Sequence, residues 1–143
     1  MNCAKRQPEP VVIETDFVAP GDNHRNRYFT RGGRVMCAPT PEYAEFISLM
    51  GWAWKQQHRE PLTGYWRLHL EITWQDRRRR DANNLLKTIC DALERAGAVE
   101  DDKRIMGCID ATHYPGEGGR STGMIIKLVA AAPGTYPIEK GEK

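Results

Sequence analysis

The chain has 143 residues, 40% hydrophobic and 28% charged, with a formal net charge of +2, which is the profile of one globular domain long enough to bury a core. That balance excludes an intrinsically disordered chain and a uniformly basic blanket for polyanions. No apolar run is long enough to span a bilayer, Lys127 interrupting the best candidate, and no signal peptide is expected.

Residues 1–10 are polar and read as a flexible N-terminus, 11–132 as the folded domain, and 133–143 (PGTYPIEKGEK) as a flexible tail. Val11 to Val18 alternates as a first strand. The segment Pro20 to Gly33 reads as a turn-rich loop in which Arg25, Arg27 and Arg31 interleave with Tyr28 and Phe29. Such a loop grips phosphates and stacks on exposed bases, or is an ordinary solvated loop with two ring anchors. Arg34 to Cys37 suggests a short strand. Thr40-Pro41 is an N-cap followed by proline at the first helical position. A core helix then runs to about Gln57 on Tyr43, Phe46, Ile47, Met50 and Trp54. In WRLHLEITW, residues Trp66, Leu68, Leu70, Ile72 and Trp74 share one face of a strand. His69 and Glu71 fall on the other face, and His69 reads as a surface histidine rather than a ligand.

The stretch from Gln75 to Ile105 carries the chemistry. Leu85, Ile89, Ala92, Leu93 and Ala96 form an apolar helical stripe, and Gly97 is where the helix stops. Asn84, Lys87 and Asp91 lie within about 60° of one another on the opposite side. Strands over Ile105–Thr112 and Gly123–Ala131 flank a PGEGG turn and are expected to pair as a hairpin. The fold class is therefore α+β: one domain with a mixed β-sheet and two main helices. The four cysteines, Cys3, Cys37, Cys90 and Cys108, show no CxxC spacing and read as reduced thiols.

Hard ions such as Mg²⁺ are held by one or two carboxylates with water and substrate phosphate. Asp81 before the helix and Asp101/Asp102 after it can converge on its polar face, with Lys87 placed to meet a phosphate. The bland alternative is a set of dipole-complementing and solubilising charges.

The run DRRRRDANNLLKTICDALERAGAVEDDKRI resembles the RusA family of Holliday junction resolvases, of phages and prophages. The family pattern is an arginine-rich approach, D-x-D-N-x-x-K-x-x-x-D-A-L, a glycine-containing spacer and D-D. Asp81, Asn84, Lys87, Asp91, Ala92, Leu93, Gly97, Asp101 and Asp102 match it, NRYFTRGGR resembles the family's N-R-Y loop, and Gly118–Arg120 matches a later turn. The resemblance implies a homodimeric, Mg²⁺-dependent endonuclease of four-way DNA junctions in a bacterial or phage-infected cytoplasm. It implies Asp81, Lys87 and Asp102 as catalytic residues and Asp81, Asn83 and Asp102 as metal ligands. DNA contacts are expected from Arg27, Arg31, Arg34, Arg77, Arg78, Arg79, Arg80 and Asn84. The chain departs from the pattern at Asn83, where the family has an aspartate. Either a reduced carboxylate set suffices, or Asp91 or Asp101 compensates, or the chain binds junctions without cutting them. A small α+β interaction module with merely solvating charges is the third reading.

Overall fold

The computed structural model describes residues 8–21, 25–57 and 59–132. The expectations for residues 1–7 and for the 133–143 tail lie outside the described residues.

Strand β1 (Val11–Thr15) buries Val11 and Ile13 and stops sooner than its alternation suggests. The Thr15 hydroxyl donates to the Phe17 carbonyl at 2.7 Å and bends the chain away from the sheet. Strands β2 (Asn26–Arg31) and β3 (Arg34–Pro39) then form a separate two-stranded sheet. Part of the segment read as a loop, Asn26–Arg31, is thus a strand. Its turn is Gly32-Gly33 with φ of 59° and 75°, the double left-handed geometry of a two-residue hairpin. Almost every residue of the hairpin is exposed, so no burial alternation marks it in the sequence.

Helix α1 (Pro41–Lys55) begins as expected: the Thr40 side chain accepts from the Tyr43 backbone N–H, and proline follows the cap. It buries Tyr43, Phe46, Met50 and Trp54. Strand β4 (Trp66–Thr73) is the middle of the main sheet. Helix α2 (Asn83–Arg95) buries Leu85, Thr88, Ile89, Ala92 and Leu93. Strands β5 (Ile105–His113) and β6 (Gly123–Ala130) complete the fold.

The four-stranded sheet runs β1-β6-β4-β5, with β4 and β5 parallel and the other pairs antiparallel. The expected β5–β6 hairpin does not form, because β4 lies between them and pairs along its whole length with both. The reason is burial. Leu68, Leu70 and Ile72 of β4 are wholly inaccessible, and seating them at the sheet centre leaves no polar backbone edge on the strand that can least tolerate one. Both helices pack on this same face, closing a core that includes Phe46, Met50, Leu70, Ile89, Leu93 and Ile126.

Gly123 opens β6 where a Cβ would lie 2.0 Å from the Thr15 backbone oxygen, whereas at Gly107 it would meet only the tip of the Leu86 side chain at 2.9 Å. Gly123→Ala should therefore destabilise the chain by about 1–3 kcal/mol, since β1 itself must move. Gly107→Ala should cost clearly less. Urea unfolding of the two variants checks the order; equal midpoints would show that β1 gives way freely.

Candidate active site on the polar face of α2

The segment between β4 and α2 is held by its own charges. The Arg80 guanidinium grips Asp76 with both nitrogens, at 2.5 and 2.9 Å, and stacks over Trp74. The Arg78 backbone N–H also donates to Asp76. Arg77 lies over the Tyr114 ring, while Arg78 and Arg79 point into solvent. The four arginines thus divide: Arg80 fixes the loop, Arg77 leans on a ring, and Arg78 and Arg79 are presented outward.

Asp81 starts the helix. Its Oδ1 accepts the Asn83 backbone N–H at 3.0 Å and its carbonyl accepts that of Asn84 at 3.2 Å, so one of the first-turn donors is satisfied by this carboxylate. Asp81 and Asn84 border a cleft of about 330 Å³ with Trp74, Arg80 and Pro20. Asn83, Asn84 and Lys87 are all exposed, on the side of α2 away from its buried stripe.

Asp101 and Asp102 have different tasks. The Asp101 side chain accepts the Lys103 N–H and shapes the short turn Asp102–Arg104. Asp102 faces α2, where its carboxylate lies within 4.8 Å of those of Asp91 and Glu94. Asn83 and Asp91 are separated by about 12 Å of helix rise. The predicted ligands thus lie at opposite ends of α2 rather than together: Asp81 and the neutral Asn83 at its start and Asp102 beside its last turns, with Lys87 between them.

Asp91 is the neutralised member of that trio. Arg25 reaches its Oδ2 at 2.7 Å, Arg95 at 3.2 Å, and the Tyr43 hydroxyl donates to the same oxygen. This cluster ties the segment before β2 and helix α1 to α2. Among the described residues, Glu94 and Asp102 form no ion pair with a base. Burial, and then the charges of Asp102, Asp101 and Asp91, push the Glu94 carboxyl up. Burial likewise takes the Cys90 thiol up to about 12, so it stays protonated beside Asp102. Glu94 escaped the sequence reading because a glutamate late in a helix is an ordinary solvating residue. Its i+3 relation to Asp91 was the available signal.

Arg27, Arg31 and Arg34 stand on the β2–β3 hairpin, exposed, with Arg27 over the Phe29 ring and Arg31 paired in register with Arg34 at the turn. Tyr28, 71% exposed, adds a free ring. Arg25 alone of the loop arginines is drawn inward.

The Asp76 carboxyl is held down at about 2, against an ordinary 3.8, first by Arg80 and then by the Arg78 N–H. A depressed carboxyl contributes order above its unfolded pKa and loses it as pH falls through the folded one. The Asp76–Arg80 bridge should therefore persist through mild acid and open near pH 2. In an NMR titration, Arg80→Ala should return Asp76 towards its ordinary value; an unmoved midpoint would assign the shift to the backbone donor instead.

The family model described as Endodeoxyribonuclease RusA matches residues 18–126. No curated protein matches the chain. The matched span begins just after β1, runs through the hairpin and both helices, and ends halfway along β6, and so contains the whole polar face of α2 and its arginines. The chain belongs to the RusA endodeoxyribonuclease family of Holliday junction resolvases.

Proposed function

We propose that this chain is a Mg²⁺-dependent endonuclease that resolves four-way DNA junctions by paired nicks, acting as a homodimer. The observation that carries the proposal is the family match together with the exposed Asn83 and Lys87 on α2 and the acidic cluster of Asp91, Glu94 and Asp102 against its last turns. Two symmetric cuts in a two-fold substrate call for two symmetric sites, which supports the dimer.

The donors suit a hard cation, being carboxylate and amide oxygens. Asp81, with one oxygen not engaged by the Asn83 N–H, and Asn83 would offer donors to such an ion at the start of α2, and Asp102, with Glu94 adjacent, at its far end. When bound, the ion supplies positive charge to the scissile phosphate and a more acidic water. Lys87 is placed to hold a phosphate oxygen as charge develops there. Arg78 and Arg79, with no ring to lean on, take flanking phosphates, as do Arg27, Arg31 and Arg34 on the hairpin. Arg77, Arg80 and Asn84 complete the expected DNA contacts, Arg80 chiefly by keeping the loop in shape.

Asn83 favours a second reading, a junction-binding protein that does not cut. Its amide oxygen can coordinate but brings no charge, and a cation with fewer carboxylates is held more weakly. Nicking of a labelled junction with and without Mg²⁺ decides between the two. Asn83→Asp should raise the nicking rate and lower the Mg²⁺ midpoint, and Asp102→Asn should abolish nicking while leaving junction binding intact. An Asn83→Asp variant with rate and midpoint unchanged would remove position 83 from the metal shell. Nicking absent from parent and Asn83→Asp alike, with junction binding retained, would establish the second reading.

The outward arginines make a separate prediction. Arg78→Ala with Arg79→Ala should weaken junction binding and flatten its salt dependence, each lost phosphate contact reducing the slope of log K against log salt by about 0.9 on duplex arms. An unchanged slope would make these side chains a solvated surface.

A further inference from the structure

On the sheet face turned away from α1 and α2, three side chains meet that no motif connects. His69 of β4 is the register partner of Cys108 on β5. The His69 Nδ1 lies 3.3 Å from the Cys108 Sγ and 3.1 Å from the Asp110 Oδ1, and the Cys108 Sγ lies 3.5 Å from that same oxygen. Asp110 is the residue of β5 with no partner on β4: the register runs from Leu70↔Ile109 to Glu71↔Ala111 and skips it. A bulge in a parallel pair is uncommon, and bulges re-aim a side chain. Here it leaves Asp110 beside the His69–Cys108 pair.

A Cys–His–Asp relay would use both ring nitrogens, one towards the thiol and one towards the carboxylate. In this trio both partners converge on Nδ1, so the arrangement is not a relay. It is a set of one nitrogen, one sulfur and one oxygen donor around a common point. With metal–ligand bonds of about 2.0–2.3 Å, the edges of a tetrahedron measure roughly 3.3–3.7 Å. The three observed separations fall within a few tenths of an ångström of that, and a small opening of the trio admits an ion.

We propose that His69, Cys108 and Asp110 bind a borderline divalent transition ion, Zn²⁺ above all, with solvent in the fourth position. Imidazole and thiolate select against Mg²⁺, so this site is chemically separate from the carboxylates around α2. Coordination replaces the thiol proton of Cys108, which leaves to solvent, and cross-links β4 to β5. Lys127, the register partner of His69 on β6, stands on the same face and lowers the affinity without entering the shell.

The full chain, stripped with chelator, is titrated with Co²⁺ as an optical probe and then with Zn²⁺. The expected result is one Co²⁺ per chain that gives a thiolate-to-metal band in the near ultraviolet, displaced by Zn²⁺, while any Co²⁺ on the carboxylates around α2 gives no such band. Cys108→Ser should abolish the band, and His69→Ala and Asp110→Asn should each weaken binding by at least about tenfold. Cys37→Ser and Asp102→Asn should leave it unchanged. Loss of the band in Cys37→Ser, its survival in Cys108→Ser, or no saturable binding by the parent would each overturn the assignment. Because these variants sit on an exposed face, their metal-free melting should match the parent, and Asp110→Asn provides the reading if either of the others fails to fold.

Discussion

Parallel pairing of β4 with β5 is the constraint from which the rest follows. Parallel neighbours cannot be joined by a tight turn, so the chain must leave the end of β4 and return to the start of β5 across one face of the sheet. Helix α2 is that crossing. Its apolar stripe is pinned by Leu85, Ile89, Ala92 and Leu93 in the core, and the opposite side is thereby committed to solvent. The residues entering the crossing, Asp76 to Asn83, and those leaving it, Asp101 and Asp102, arrive at that outward side from its two ends. A loop in place of α2 would bring the same residues with none of this registration.

Strand β4 and helix α2 were legible in the sequence because each buries one side. WRLHLEITW alternates, and the 85–96 segment repeats at helical spacing; in both, the hydrophobic pattern and the backbone agree. Strand β2 was not legible for the converse reason. All its residues are exposed, so NRYFTR carries no burial signal, and only the Gly32-Gly33 pair announces the hairpin. The pairing of β5 was misread because the glycine-rich turn before β6 is a local signal, whereas burial of β4 between β5 and β6 is a property of the whole sheet.

The same distinction applies to the sites. Asp81, Lys87 and Asp102 were nominated through a motif that is contiguous along the chain. Glu94 and the Arg25–Tyr43–Asp91 cluster were not, since what groups them is the approach of α1 and the 102–104 turn to the last turns of α2. His69 illustrates the limit most clearly. As an alternating residue on a solvent face it is unremarkable, and nothing in its neighbourhood along the chain says otherwise. Its relation to Cys108 exists only through the parallel register, and its relation to Asp110 only through a bulge.

Charge placement explains how a chain with a net charge of only +2 can address a polyanion. Arg25 and Arg80 are spent on Asp91 and Asp76, inside the protein's own framework. Arg79 and the hairpin arginines remain outward, as does Arg78 apart from a long 3.8 Å approach to Asp76, so the outward positive charge is concentrated where the framework makes least use of it. Between those arginines lies an acidic face that by itself repels phosphate. A polyanion settles there only if that repulsion is reduced, either by a cation among the acids or by fewer acids. Asn83 is a change of the second kind. Under the proposed function it would weaken the hold on a cation and, by the same lost charge, ease the approach of DNA when no cation is present, so one substitution would move cutting and binding in opposite directions.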